Sequence, residues 1–426
     1  MNNWLEFFID RRGGVVICFV LTLFERIRRL LWPVGRDLPP VKRILFVKPV
    51  EQGAIVLAYG AVKHAVDLVG RENVFFFAFE KNREILDILD VVPRENIITA
   101  RDDTFLTFAV SMLAALRRMR GLCIDTAVDL EIFARISIII AYLSGAQRRV
   151  GLHRFNSEGP YRGSLVSHCV QYNPYLHTAQ AFDVFARAAF AAPDEAPLLK
   201  ETPTTPPCPP PRFTPTQADH AALDDMLREA APELLDGDGR AYPIVLFNPK
   251  CLDELPARKW PDPSFVALGK KILGLWPESR ILITGLPSEQ AACAAMQRAM
   301  SSDRVFNLAG KLTLRTLITL MTRSDALIST DSGPAHFAAL TDIAGVVLFG
   351  PETPLLYSPL SARLRVLYLG LACSPCFSPM NYRLSPCTNN RCLREITDDM
   401  IITMLRDALD HNQRASAAGD ASESGS

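Results

Sequence analysis

The run Asp331-Ser332-Gly333-Pro334-Ala335-His336 sets an acid, a hydroxyl, a glycine and a proline directly after the apolar stretch Ala326-Leu327-Ile328-Ser329. Proline suits a first helical turn, where its missing N–H costs nothing. Glycine lets a ligand approach the backbone, and the free N–H groups of that turn attract an anion. An acid at the carboxyl end of a strand stands where open α/β sheets bind ligands. The chemistry this pattern supports is a phosphate held at Ser332 and Gly333 beside a carboxylate, Asp331, that takes sugar hydroxyls. The same residues also suit an ordinary strand-turn-helix packed for stability. His336, one turn beyond Ser332, either faces that ligand or fills the core. A second constellation is Cys373-Ser-Pro-Cys376 with Cys387 and Cys392. Four thiolates suit a tetrahedral zinc or iron site, structural in kind because no coordination position stays open. Reduced thiols packed as small hydrophobes are the alternative.

Such residues need a scaffold that brings strand ends together. In the first half, strands are predicted at 43–47, 74–78, 97–98 and 126–130, with helices over 55–68, 84–89, 105–120 and 178–191. Residues 148–177 read as mixed and loop-rich. In the second half, strands are predicted at 244–247, 280–284, 326–329 and 345–349, with helices over 264–275, 290–300 and 314–322. Alternating strands and helices argue for parallel sheets covered on both faces. Between the halves, Pro203, Pro206-Pro207 and Pro209-Pro210-Pro211 exclude a helix or central strand and predict an extended linker. Two similar halves put the expected active site in the cleft between them.

A chain of 426 residues suffices for two full cores plus appendages. Its 46 basic residues balance 46 acidic ones, so nucleic acid is not favoured as a partner. The ten cysteines are not spaced as a disulfide scaffold, which suits a reducing cytoplasm. Near the N-terminus, Gly14 to Phe24 is apolar, preceded by Arg11-Arg12 and followed by Glu25-Arg26-Ile27-Arg28-Arg29. That run is too short to span a bilayer, which takes about 20 residues, and no small-residue cleavage site follows it. An interfacial anchor with Trp4, Trp32 and the arginines at headgroup level is the expected reading. A soluble helix packed on the first domain is the alternative.

With its motifs taken in order, the second half resembles the donor-binding domain of glycosyltransferase family 9, the heptosyltransferases of lipopolysaccharide assembly. The series is Asn248-Pro249, Leu255-Pro-Ala-Arg-Lys-Trp-Pro261, Thr284-Gly285 with Glu289, Asn307-Leu-Ala-Gly-Lys311, Asp331 to His336, and Leu348-Phe-Gly-Pro-Glu-Thr-Pro354. The resemblance implies an α/β, GT-B-like fold: two Rossmann-like domains facing a cleft, here preceded by the N-terminal hydrophobic segment. It implies that Asn248, Arg258, Lys259, Thr284, Gly285, Asp331, Ser332, Gly333, His336, Gly350 and Pro351 hold a nucleotide-diphosphate sugar, with Arg258 or Lys259 neutralising the diphosphate.

In the first half, Lys48-Pro49-Val50-Glu51-Gln52-Gly53-Ala54 occupies the place of the family's glycine-rich loop. Relatives usually carry an aspartate right after the glycine as general base, and here that position is Ala54. Glu51 is the expected substitute base, with a helix-capping role as its alternative. Lys48, Gln52 and Gly53 are expected at the acceptor, and Glu80 and Asp129 stand at neighbouring strand ends. Arg148, Arg149, His153, Arg154 and Arg162 either bind an anionic acceptor or form a solvated face. Similar cysteine clusters occur in the family and some hold metal, so a structural zinc or iron at Cys373, Cys376, Cys387 and Cys392 is the one expected cofactor, and catalysis needs none.

The expected domains are a membrane-associating segment (1–40), an acceptor-side Rossmann-like domain (41–191), a Pro-rich linker (192–217), a nucleotide-sugar domain (218–411) containing the cysteine cluster 373–392, and a disordered tail (412–426). The function implied is inverting transfer of a sugar, heptose among the candidates, from a nucleotide-diphosphate sugar to a hydroxyl of a glycolipid or lipopolysaccharide-type acceptor. Its expected place is the cytoplasmic face of the bacterial inner membrane, as a peripheral or monotopic protein. A protein glycosyltransferase and a non-catalytic sugar-nucleotide-binding scaffold of a membrane glycan assembly complex are the alternatives.

Overall fold

The computed structural model describes residues 9–31, 39–155, 159–203, 206–234, 242–249, 256–381, 383 and 385–423. Trp4, Trp32 and Leu255 lie outside them. The chain divides into two compact units, Met1–Pro210 and Pro211–Ser426.

In the first unit, helix α1 (Gly14–Leu31) precedes β1 (Ile44–Val47), α2 (Gln52–Leu57), α3 (Tyr59–Val69), β2 (Val74–Phe79), α4 (Arg83–Leu89), β3 (Ile97–Ala100) and α5 (Phe105–Gly121). Then come β4 (Thr126–Asp129), α6 (Ile136–Leu143), β5 (Arg148–Leu152), β6 (His168–Val170) and α7 (Thr178–Ala188). The strands form one parallel sheet in the order β3-β2-β1-β4-β5-β6. β1 and β2 are buried at every position, as strands covered on both faces must be. Helix α6 was not foreseen: Ile136-Ser-Ile-Ile-Ile-Ala-Tyr-Leu143 is an almost unbroken apolar run, which periodicity cannot assign to helix or strand. The stretch expected to be loop-rich contributes β5 and β6 to the sheet.

The second unit runs α8 (Gln217–Ala230), β7 (Ile244–Asn248), α9 (Asp262–Leu275), β8 (Arg280–Ile283), α10 (Gln290–Met300), β9 (Val305–Asn307), α11 (Leu314–Thr322), β10 (Ala326–Thr330) and α12 (Gly333–Ala338). It ends with β11 (Ala344–Phe349), α13 (Pro354–Tyr357), β12 (Leu364–Tyr368), α14 (Arg391–Arg394) and α15 (Asp398–Glu423). Its parallel sheet, β12-β11-β10-β7-β8-β9, repeats the strand order of the first unit. In each unit the chain starts at the centre, winds to one edge, then returns and winds to the other. The order therefore reverses between β1 and β4, and between β7 and β10, and ligands bind outside the carboxyl ends of the strands at such a reversal. The final helix continues to Glu423, through residues expected to be a disordered tail; alanines in that stretch favour the helix.

Helix α1 packs on the first unit with an unusual face. Gly14, Cys18, Thr22 and Glu25, spaced three or four apart, are its buried positions, while most of its large apolar side chains are exposed. Thr22 Oγ1 accepts from the Ser164 amide at 3.1 Å. A Cβ on Gly163, whose φ is +57°, would lie 1.8 Å from that oxygen, so only glycine fits there. Glu25 is buried and bonds Arg28, Arg29 and Arg149. Ahead of α1, Asp10 Oδ1 accepts from the amides of Arg135 and Ile136, both at 2.8 Å, and so caps α6, whose own N-cap residue offers no side-chain cap. Among the described residues no helix is long and apolar enough to cross a membrane.

Candidate active site

At the reversal of the first sheet, Lys48 follows β1 and Glu131 follows β4, with Val47 in register with Asp129. Lys48 is buried, and its Nζ stands 2.8 Å from Glu131 Oε1 and 3.4 Å from Glu51 Oε2. Burial lifts the Glu131 carboxyl above its ordinary range; Lys48 opposes the shift and Glu51 adds to it. Asp129 is held behind this pair: its Oδ1 accepts from the Glu131 amide at 2.9 Å, and Oδ2 lies 3.1 Å from Arg162 Nη1. Burial pushes Asp129 up to about 6, against the pull of Arg162.

Glu51 occupies the left-handed region (φ 70°) at the N-cap of α2, yet makes no side-chain cap bond. Its carboxylate turns to Lys48 and is 42% exposed. The capping alternative is therefore not what its side chain does. Gln52 reaches Lys81 O at 2.8 Å, Gly53 is buried in the first turn of α2, and Glu80 is exposed.

The basic stretch splits. Arg148, Arg149 and Arg162 are buried, which overturns the solvated-face reading for those three, because each has found internal acceptors. Arg148 donates to Pro39 O, Arg149 to Glu25 and Leu165 O, and Arg162 to Glu131 O and Ala134 O. Glu131 itself was missed by sequence reading. Its signal was an acid two residues past Asp129 at a strand end.

At the reversal of the second sheet, Asn248 ends β7 and Asp331 follows β10. Arg258 Nη2 donates to Asp331 Oδ2 at 2.8 Å and to Asp331 O at 2.5 Å. Its Nε is buried and has no hydrogen-bond partner among the described residues, so one donor of the fork remains to be satisfied. Asn248 Nδ2 donates to Thr284 Oγ1 at 3.2 Å, and Asn248 Oδ1 accepts from Ser332 Oγ at 3.4 Å. Lys259, the other expected diphosphate cation, stands 3.0 Å from Asp262.

The loop carrying Arg258 is held from two sides. Trp260 is buried edge-on to Phe265, ring centroids 4.7 Å apart, and donates to Ile396 O. Asn390 Nδ2 donates to Ala257 O at 3.2 Å and to Lys259 O at 2.8 Å, bracketing Arg258. Asn390 was invisible as a site residue in the sequence.

His336 is buried in α12. Gly285 and Gly310 lie together, joined by the Gly310 amide to Gly285 O at 2.9 Å. Pro351 O accepts from the Cys376 and Phe377 amides, and Ser374 Oγ donates to Gly350 O. The cysteine loop thus packs on the Gly350-Pro351 turn.

Cys373, Cys376 and Cys387 all lie near enough to Cys392 to act on its thiol. Among the described residues no three His, Cys, Asp or Glu side chains converge on a point that could hold a metal ion. Cys392 is buried at the start of α14, whereas Cys373 and Cys387 are exposed on loops. Burial, with the neighbouring thiols adding to it, pushes the Cys392 thiol up to about 11. No step is assigned to a metal there.

Comparison with known proteins follows the same lines. The family model for glycosyltransferase family 9 (heptosyltransferase) matches residues 140–384. The lipooligosaccharide heptosyltransferase 2 of Campylobacter jejuni is 28% identical over 178 residues, 39% of this chain and 54% of that protein. The lipopolysaccharide heptosyltransferase 2 of Salmonella typhimurium is 30% identical over 117 residues, 27% of this chain and 33% of the relative. The chain thus spans about half the length of the Campylobacter relative it matches, and less of the other. Among solved structures, the E. coli ADP-heptose LPS heptosyltransferase II superposes with a TM-score of 0.64 at 16% identity, covering 87% of this chain and 99% of that one. A family 9 glycosyl transferase from Veillonella parvula gives 0.65 at 16% identity, covering 88% and 100%. At that identity the likeness speaks for the fold, which is the α/β, GT-B-like one expected.

Proposed function

This chain belongs to glycosyltransferase family 9, and on that premise we propose that it is an inverting transferase moving a sugar from a nucleotide-diphosphate sugar to a hydroxyl of a lipopolysaccharide-type or other glycolipid acceptor. The observation that carries this is the Arg258–Asp331 pair at the reversal of the second sheet, with the buried Arg258 Nε still unsatisfied. An anion there completes the guanidinium fork, and Asp331 is left an oxygen for sugar hydroxyls. ADP-heptose is the first donor to try, because the E. coli protein of similar fold is an ADP-heptose LPS heptosyltransferase.

In the reaction the acceptor oxygen forms a bond to the anomeric carbon as the bond to the diphosphate oxygen breaks. The acceptor proton passes to Glu51, the exposed carboxylate of the pair on Lys48. Arg258 and the start of α12 receive the charge of the departing diphosphate. Glu131 and Lys48 set the position and charge of Glu51.

The test is calorimetric titration of the full chain with ADP-, GDP-, UDP- and CDP-sugars, repeated on Asp331→Ala. One nucleotide class that binds wild type and loses affinity in the variant supports the site and names the donor. Tight binding without transfer or donor hydrolysis, together with no effect of Glu51→Gln, would favour the non-catalytic scaffold.

A further inference from the structure

We propose that the outer faces of α1 and α5 form one bilayer-docking surface, bordering the sheet edge that holds Lys48, Glu51 and Glu131. The proposal joins a second helix to the N-terminal segment and fixes which way both face.

Helix α1 is inverted relative to an ordinary surface helix, which buries its apolar stripe. It spends glycine, cysteine, threonine and a paired glutamate on the protein and leaves Phe19 (61% exposed), Phe24 (62%) and Leu30 (82%) outside. Helix α5 shows the same excess. Met112, Ala115 and Met119 face the sheet, while Phe105 and Leu106 (each 72% exposed) and Val110 (63%) stand outward. Isolated exposed apolar side chains mean nothing, but contiguous ones on a folded surface mark an interaction site.

The two helices lie on one side of the sheet. Cys18 of α1, Met112 and Met119 of α5, and Ile138 to Ile140 of α6 share a single core with Leu45, Val47, Phe75 and Phe77. Helix α6 sits between them, tied to α5 by Arg120 Nε donating to Leu143 O at 2.9 Å and capped by Asp10 ahead of α1. Both apolar faces also reach the carboxyl edge of the sheet. Phe105 opens α5 a few residues after β3 ends, and Asp10 lies at the start of α6, just past Glu131.

Charge selects the occupant. The exposed charged residues of α1 and α5 are all arginines: Arg26, Arg28 and Arg29 on the first, Arg117, Arg118 and Arg120 on the second. Of the acids of the N-terminal segment, the two among the described residues, Asp10 and Glu25, are turned inward to protein partners. Asp102 and Asp103, just ahead of α5, are paired with Lys81 and Arg101, and an apolar face whose helices carry only exposed arginines suits the anionic headgroups and acyl boundary of a bilayer. A second copy would set arginine rim against arginine rim. Resting on the transferase reading above, the location also explains what docking does: it holds the sheet edge with the acceptor carboxylates next to the surface from which a lipid-anchored hydroxyl would arrive.

The experiment is flotation of the full chain with phosphatidylglycerol–phosphatidylethanolamine vesicles and with phosphatidylcholine vesicles. Wild type is expected to float with the first and weakly or not at all with the second. Leu106→Glu with Val110→Glu on α5, and Phe19→Glu with Leu23→Glu on α1, should each lower the bound fraction about tenfold or more while the melting temperature holds. If a glutamate pair unfolds the chain, Phe105→Ser with Leu106→Ser reads the same α5 face with the same expected direction. The proposal is overturned if wild type floats with neither vesicle, if the α5 variants float like wild type, or if light scattering shows a dimer that these variants dissociate. Nucleotide-sugar calorimetry on the same samples separates the two readings. Vesicle binding without donor binding leaves the docking surface standing and removes the transferase.

Discussion

Lys48 Nζ and Glu131 Oε1, contributed by residues 83 positions apart, meet at 2.8 Å in the buried end of the first sheet. This pair gives Glu51 its setting, because the same ammonium holds both carboxylates. Removing the acid that accepts the proton should differ from removing the acid that positions the cation. Glu51→Gln is expected to cut kcat by about 10²- to 10⁴-fold with donor affinity unchanged. Glu131→Gln should cut it less and displace the acid limb of the pH–rate profile, since Lys48 then loses the charge of Glu131 and keeps that of Glu51 beside it. Steady-state kinetics of both variants across pH decides it; a larger loss in Glu131→Gln would make that residue the base.

Arg258 is held by a loop whose carbonyls before and after it both bind Asn390. Asn390→Ala should therefore weaken donor binding without touching donor. The expected loss is about 1–3 kcal/mol, the cost of leaving two partly buried carbonyls without their donor. Arg258→Ala should weaken binding at least as much, and the double variant should lose little more than Arg258→Ala alone. Additive losses in calorimetry would mean that Asn390 does not act through the arginine.

Much of this geometry was legible in the sequence, for identifiable reasons. Strands such as Ile44–Val47 and Ala326–Thr330 are short apolar runs that end abruptly in polar residues, so both the strand and the chemistry at its end could be read. Helix α6 was not, because its apolar run has no period to measure. Strand β9, of three residues, and the half-buried edge strand β12 are too weakly patterned to stand out. Arg162 looked like a surface charge because its partner Asp129 lies in a distant element. Pairing across the fold is what a local reading cannot see. For α8 a signal was present: Thr216 and Asp219 form a capping box at its start.

Glu25 supplies a pH dependence. Burial alone would raise its carboxyl, but hydrogen bonds from Arg28 and Arg29 and the charge of Arg149 outweigh burial and hold it at about 2. A carboxyl depressed in the folded state stabilises fully above its unfolded value near 4.5, and that stabilisation is lost as pH falls toward 2. Hydrogen exchange along α1 should accelerate in that window first. In Glu25→Gln this dependence should vanish, at a cost of about 3–5 kcal/mol for leaving Arg149 buried without its carboxylate. Unchanged exchange between pH 5 and pH 2 would show that the network does not anchor the helix.

Gly350 tests how the cysteine loop seats. A Cβ there would lie 2.5 Å from Leu393 Cγ, inside any tolerable contact. Gly350→Ala should cost about 1–3 kcal/mol in thermal unfolding, and Leu393→Ala in the same chain should recover part of it. Absence of recovery would mean that the strain arises elsewhere.

The way Asp10 and Glu25 are spent has a practical side. The segment from Asp10 through α1 is a keystone, because it supplies the acceptor for the Arg135 and Ile136 amides at the start of α6 and the only carboxylate that Arg149 bonds among the described residues. Trimming the chain to begin after residue 31 would remove the outward apolar side chains of α1 and at the same time pull out the groups that finish the first unit. A version that stays dispersed without detergent is better reached by recolouring the outward side chains of α1 with polar ones, with Asp10, Gly14, Cys18, Thr22 and Glu25 left as they are.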